Sequence, residues 1–197
     1  VAVVVKACDS RAINMLLAEK RFERSQVHII GVLCDGMRDG AGSDNRSDGF
    51  LQRRCQVCTD NKPLLSDTLI GQGECRSDRL PAREVEQVYG NPLVDALPPA
   101  ERLQYWLSQF DRCLRCYACR QACPMCDCPT CLYERDDSLW AGMGLELNDK
   151  RTFHLGRAYH LAGRCIGCDE CERVCPVDIP ISLLNRKLAV EMQAQFG

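Results

Sequence analysis

Long apolar runs are missing from this 197-residue sequence. The longest, Val1 to Val5 and Ile29 to Cys34 with one glycine inside, fall far short of a membrane span. No lipidation box or juxtamembrane basic cluster is present either, so direct membrane insertion is excluded as a reading. An excess of one charge is also missing: 25 Lys and Arg against 27 Asp and Glu leave a formal net charge of −2, with the signs interspersed. Without the basic stripe that phosphate neutralisation requires, nucleic acid is not an expected partner. Histidine is scarce, with three in the chain. His154 and His160, six apart, fall on different faces of a helix, and His28 falls in a strand-like run, so all three read as ordinary structural residues. The two tryptophans, Trp106 and Trp140, read as packing residues. No Walker loop, Ser/His/Asp set or paired-carboxylate site can be found, and Gly71-Gln-Gly73 lacks both the third glycine and the strand-to-helix setting of a dinucleotide fingerprint. No catalytic residue is assigned.

Cysteine, by contrast, is abundant: 16 residues, about 8% of the chain. That density signals either a disulfide scaffold or a metal protein. A chain of 197 residues, 46% hydrophobic, can bury one or two ordinary cores and has no need of disulfide staples. The expectation is a reduced, cytoplasmic, metal-binding chain.

Val1 to Lys6 suits a buried parallel strand, Asp9-Ser10 offers a helix cap before Ile13, Leu16, Leu17 and Phe22, and a second apolar run spans Val27 to Cys34. Strand, helix and strand read as one βαβ crossover. Two strands cannot bury both their faces, so further sheet is expected from residues before Val1 or from a partner. A start inside a strand-like run gives the same expectation of a longer protein. Residues 35–54, with four glycines and eight charges, read as a solvated loop. Residues 76–98 read as a linker, and Pro99 opens a helix to about Arg112 with Leu103, Trp106, Leu107 and Phe110 on one face. A closing helix follows Pro180, with Leu184, Leu188 and Met192 as its stripe.

The chemistry is carried by an internal repeat. Cys113-Leu-Arg-Cys116-Tyr-Ala-Cys119-Arg-Gln-Ala-Cys123-Pro124 returns, 52 residues on, as Cys165-Ile-Gly-Cys168-Asp-Glu-Cys171-Glu-Arg-Val-Cys175-Pro176. Two-residue gaps let three thiolates wrap three corners of a cubane, and the proline turns the fourth cysteine towards a second cluster. The spacing predicts one 4Fe–4S cluster on Cys113, Cys116, Cys119 and Cys175, and another on Cys165, Cys168, Cys171 and Cys123. Zinc sites use isolated C-x2-C pairs rather than four-cysteine runs ending in proline. Arg112, Arg115 and Arg120 give +3 over 112–123, against −1 over 164–175, so the cluster of the first motif is expected to have the higher potential.

Eight cysteines remain. Cys8 and Cys34 each end an expected strand, and ligands in open α/β sheets collect at the carboxyl ends of strands. With the chelating pair Cys55-Gln-Val-Cys58 they form a third four-thiolate site, again 4Fe–4S; otherwise Cys8 and Cys34 are core thiols beside a small zinc or redox pair. Cys126, Cys128 and Cys131 lie in a turn-rich stretch and with Cys75 could complete a fourth site. Equally, Cys75 could replace Cys8 in the third site or be a free thiol.

Lys6-Ala-Cys8-Asp9-Ser10-Arg11-Ala12, Gly31-Val-Leu-Cys34-Asp-Gly36-Met37, Cys55-x2-Cys58-x4-Pro63, Cys113 through Cys131, and Ala162-Gly163-Arg164-Cys165 together resemble one family. It comprises iron–sulfur proteins related to the beta subunits of deazaflavin-coenzyme-reducing hydrogenase and formate dehydrogenase. The resemblance implies an electron-transfer subunit in anaerobic metabolism, partnered by a formate dehydrogenase, a hydrogenase or a heterodisulfide-reductase-like complex. It supports Cys8, Cys34, Cys55 and Cys58 as ligands and a shared role for Cys126, Cys128 and Cys131. Here the ferredoxin-type motifs lie at the C-terminus, and no flavin motif is identified.

The expected architecture is an incomplete α/β (βαβ) module over 1–75 carrying an iron–sulfur site, a linker and helix over 76–112, and an α+β dicluster ferredoxin-like module over 113–197. A 41-residue cysteine-rich insertion separates Cys123 from Cys165. The expected function is a non-catalytic relay of electrons within a redox complex. The alternative is a flavin-containing subunit that itself reduces a soluble acceptor.

Overall fold

The valine run near the N-terminus forms strand β1 (Ala2–Val5) in a computed structural model that describes residues 1–38, 51–58, 60–71, 92–137 and 141–196. The chain divides into two units, Val1–Tyr89 and Gly90–Gly197.

In the first unit β1 leads into α1 (Ala7–Ala18), and β2 (His28–Val32) follows. The helix is capped at Lys6, not at the expected Asp9-Ser10. Asp9 is the third helical residue, and its carboxylate accepts the Lys6 amide at 3.0 Å. Ser10, fully buried, donates to the Ala7 carbonyl and accepts the Leu64 amide, which pins the segment before the last strand onto the helix. After α2 (Arg53–Gln56), a third strand, β3 (Thr68–Ile70), completes a parallel sheet in the order β1-β2-β3. Further sheet was expected from outside the chain; this strand comes from within it. Its three exposed residues show no alternation, so the sequence carries no periodic signal for it. The Asp67 carboxylate holds it in place by accepting the Ile29 amide at 2.7 Å and pairing with Arg24. Gly31 is required in β2 because a Cβ there would lie 2.8 Å from the Ser66 side chain. Val5 pairs with Gly31, so the segments leading to Cys8 and Cys34 leave the sheet at the same edge.

Among the described residues the second unit is helical: α3 (Pro92–Asp95), α4 (Pro99–Asp111), α5 (Ala118–Gln121), α6 (Leu147–Leu161), α7 (Glu170–Arg173) and α8 (Ile181–Phe196). The strand content expected of an α+β module is not seen there; the cysteine loops spend their backbone donors on turns and on sulfur instead of a ladder. Helix α4, expected in the linker, belongs to this unit. Pro99 occupies its first turn, where its missing amide costs nothing. Of its expected stripe, Phe110 is fully buried while Leu103 faces solvent.

Helix α6 packs between α4 and α8. Phe110, Phe153 and His154 form an aromatic core: the His154 ring stacks on Phe110 at 4.6 Å and meets Phe153 edge-on at 5.1 Å. Tyr133 packs edge-on against Phe153, and its hydroxyl would lie 1.5 Å from a Cβ at Gly156. A glycine in mid-helix therefore serves close packing. The buried face of α8 is Ile181, Ser182 and Asn185, while the expected stripe residue Met192 is exposed.

Candidate metal centres

The sequence repeat is also a backbone repeat. Arg115 and Gly167, each just before the second cysteine of its motif, have φ of 53° and 67°. Tyr117 and Asp169, each just after that cysteine, have φ of 59° and 56°. Both loops thus turn twice through the left-handed region and then enter a one-turn helix, α5 or α7. The twist brings main-chain amides onto sulfur at matching positions: Arg115 N–H reaches Cys113 Sγ at 3.3 Å, and Gly167 N–H bonds to the Cys165 sulfur. The Ile179 amide likewise reaches Cys175 Sγ at 3.4 Å.

Left-handed backbone is costly for arginine, and the fold holds Arg115 there by burying its guanidinium. It donates to the carbonyls of Asp149 (3.0 Å) and Gly142 (2.7 Å) and to the Tyr117 hydroxyl (3.0 Å), and it lies over the Phe153 ring. Arg115 is a structural clamp, not part of an exposed basic edge.

Two cavities lie between these loops. The first is lined by Cys113, Cys116, Cys119, Cys171 and Cys175, with Phe153, His154 and Ile179 among its walls. The second is lined by Cys123, Cys165, Cys168 and Cys171, with Ser182 and Asn185 on its α8 side. Thiols of both motifs meet in each: Cys123 joins the second motif's three, while Cys171 and Cys175 both join the first motif's three. Cys171 lines both, so the two are neighbours. Among the described residues no three His, Cys, Asp or Glu side chains converge closely enough to hold a single metal ion.

Electrostatics set the chemistry of these thiols. Burial pushes Cys119 up to about 11 and Cys171 up to about 12, and it raises Cys113 and Cys165 as well. Such thiols ionise only beside positive charge, which iron supplies on ligation. Thiol-lined cavities, amides aimed at sulfur and a need for cationic compensation all fit a 4Fe–4S cluster.

Positive charge also comes from residues that the motifs do not contain. Arg157 on α6, 3% exposed, donates to Cys119 Sγ at 3.1 Å and to the Cys119 carbonyl at 3.1 Å. It also reaches Cys126 Sγ at 3.8 Å and is the cation that most opposes the upward shift of Cys171. Arg186 on α8 serves the second loop, pairing with Asp169 at 2.8 Å and donating to the Gly167 carbonyl. A charge count along the motifs misses both. His154, read from the sequence as an ordinary helix residue, is 2% exposed and lines the first cavity. Burial, followed by the charges of Arg157 and Arg115, lowers its pKa to about 3, so the ring is neutral. The spacing of three between His154 and Arg157, one face of α6, was the available signal. His160 approaches the Tyr133 ring, and His28 begins β2.

In the first unit Cys8 is the second residue of α1, Cys34 lies two residues beyond β2, Cys55 is in α2, and Cys58 follows it. The Gly36 amide reaches Cys34 Sγ at 3.4 Å and the Met37 amide reaches Cys55 Sγ at 3.2 Å, which joins α2 to the exit of β2. Cys58 donates to the Asp60 carbonyl at 3.0 Å, and the Asn61 carbonyl accepts the Cys34 amide. Lys6 feels both Cys8 and Cys34, and burial raises the Cys8 thiol.

Cys126, Cys128 and Cys131 have three different settings. Cys126 hydrogen-bonds Cys123, which raises Cys123 and lowers Cys126. Cys128 is exposed, its carbonyl held by Arg120, and Cys131 packs on the Tyr133–Phe153 cluster. Cys75, Trp140, residues 39–50 of the expected loop and residues 76–91 of the expected linker lie outside the described residues.

Among the described residues no helix is long and apolar enough to cross a membrane. Residues 109–179 match the 4Fe–4S dicluster domain. The chain is 32% identical over 95 residues to the F420-dependent formate dehydrogenase subunit beta of Methanocaldococcus jannaschii, covering 48% of this chain and 24% of that protein. The same identity and shares hold for the F420-dependent formate dehydrogenase 1 subunit beta of Methanococcus maripaludis. The chain thus spans about a quarter of the length of these relatives. Over residues 109–179 the chain is thus similar to the 4Fe–4S dicluster domain, and over 95 residues it is related to the beta subunits of two F420-dependent formate dehydrogenases.

Proposed function

We propose that the chain is an electron-transfer subunit, with one 4Fe–4S cluster on Cys113, Cys116, Cys119 and Cys175 and a second on Cys165, Cys168, Cys171 and Cys123. It would pass electrons within a complex whose other subunits include a formate dehydrogenase, a hydrogenase or a heterodisulfide-reductase-like enzyme. The observation that carries this reading is that thiols of both motifs line two adjoining cavities, Cys123 beside Cys165, Cys168 and Cys171, and Cys171 and Cys175 beside Cys113, Cys116 and Cys119. Two redox centres placed so close suit transfer.

When bound, each cluster supplies reversible one-electron chemistry. The protein's own residues do the rest. Arg115, Gly167 and Ile179 amides hold thiolate charge in place. Phe110, Phe153 and Ile179 keep water from the first site, and Arg157 offsets negative charge. Cys8, Cys34, Cys55 and Cys58, at the carboxyl edge of the parallel sheet, form a third site of the same kind in this reading.

Iron and acid-labile sulfide counted per chain on anaerobically purified protein test it. Three clusters give about 12 of each and two give about 8. Cys34→Ser is expected to lower the count by about 4. Zinc in place of iron, or iron without labile sulfide, would overturn the reading.

A further inference from the structure

His154 poses a problem that the protein alone does not solve. His154 is 2% exposed and its ring is stacked on Phe110, and neither Nδ1 nor Nε2 has a hydrogen-bond partner among the described residues. A neutral imidazole carries one N–H in either tautomer, so one buried donor is unsatisfied whichever nitrogen bears the proton. Buried donors of this kind are rare, and each calls for a physical cause. Arg115 and Arg157 nearby disfavour a second proton on the ring. His154 lines the cavity surrounded by Cys113, Cys116, Cys119 and Cys175. An acceptor held in that cavity would satisfy the ring.

We infer that His154 donates a ring N–H hydrogen bond to a sulfur of the cluster held by Cys113, Cys116, Cys119 and Cys175, and so favours its reduced form. The inference rests on the two-cluster reading and adds to it a cofactor-binding residue from outside the cysteine motifs. A sulfur that gains negative charge on reduction accepts a stronger hydrogen bond, so the donor raises the potential. Phe110 and Phe153 fix the plane of the ring and leave it no polar alternative.

The test uses the anaerobically purified, cluster-loaded chain. In a H28Q/H160Q background, with histidine labelled with nitrogen-15, pulsed EPR of the dithionite-reduced protein is expected to show hyperfine coupling between the first cluster and a histidine nitrogen. In the unlabelled wild-type background, His154→Phe keeps the stacking and removes the donor. Potentiometric EPR titration is expected to show at least a tenfold shift of the first cluster's reduction equilibrium towards the oxidised form, about 59 mV for one electron. His154→Gln, which restores an N–H, is expected to recover part of it. Should His154→Phe fail to assemble the cluster, the nitrogen coupling in the His154-only protein decides alone. An unchanged potential in His154→Phe, or a first cluster without nitrogen coupling, reduces His154 to a packing residue. A wild-type chain with no reducible 4Fe–4S signal would instead remove the two-cluster reading itself.

Discussion

Arg157 gives the sharpest prediction. Replacing it with methionine keeps an unbranched apolar stem of similar reach and deletes a cation 3.1 Å from Cys119 Sγ. Taking the added electron of the reduced first cluster to lie about 6 Å from the guanidinium, at an effective dielectric of about 20, the lost attraction is about 3 kcal/mol. That corresponds to a downward shift of about 120 mV in a one-electron couple. The second cluster should shift down less: the arginine donates to Cys119, while towards Cys171 it acts only through its charge. Arg157→Lys, which keeps the charge and loses the bidentate geometry, should fall between wild type and Arg157→Met. The assay is an EPR-monitored redox titration of chains with equal iron and sulfide content. A first-cluster potential in Arg157→Met that stays put, or rises, would refute the reasoning. So would equal shifts in Arg157→Lys and Arg157→Met, because charge would then not be the cause.

Three further outcomes follow from the geometry. Cys175→Ala is expected to remove the cluster of the first motif, although it lies in the second, and Cys123→Ala the reverse; EPR of each variant compared with Cys113→Ala and Cys165→Ala decides, and loss confined to the variant's own motif would sink the exchanged ligation. Arg115→Met leaves the carbonyls of Asp149 and Gly142 without their charged donor and should cost about 3 kcal/mol; a melting temperature equal to wild type would count against the clamp. Gly156→Ala drives a methyl group into the Tyr133 ring, whose hydroxyl oxygen sits 1.5 Å from the new Cβ, and overpacking of this kind should destabilise by about 1–3 kcal/mol. Denaturant unfolding of the second unit reads it.

What could be read in the sequence was local. The four-cysteine runs are set by gaps of two and three residues, and cysteines of both runs line each of the two cavities. Pro99 marked the start of α4 because proline is specific to a helix's first turn. The misses have one source, contacts between residues far apart in the chain. β3 is three residues long and depends on Asp67 reaching back to Ile29 and Arg24. The α8 stripe failed because that helix turns Ser182 and Asn185, not its leucines, towards the second cavity. Arg157 and His154 sit 38 and 35 residues beyond Cys119, so no motif scan attaches them to it. The +3 count over 112–123 was incomplete for the same reason: Arg115 does act on Cys113, but the cation that donates to the Cys119 sulfur comes from α6.

The proposed lending of one thiol by each motif to the other's cluster also has a consequence for how the unit is made. On a growing chain Cys113, Cys116 and Cys119 emerge before the other ligands of this unit, but their proposed fourth partner is Cys175, 62 residues after Cys113. The other set, begun by Cys123, is complete at Cys171, only four residues before Cys175. Both sets therefore become complete almost together, however long the intervening insertion is. In the proposed ligation neither motif can complete its set of four without the other. A ribosome stalled before Cys171 would expose thiols of both motifs with neither set finished, so loading of this unit waits for the second motif to emerge.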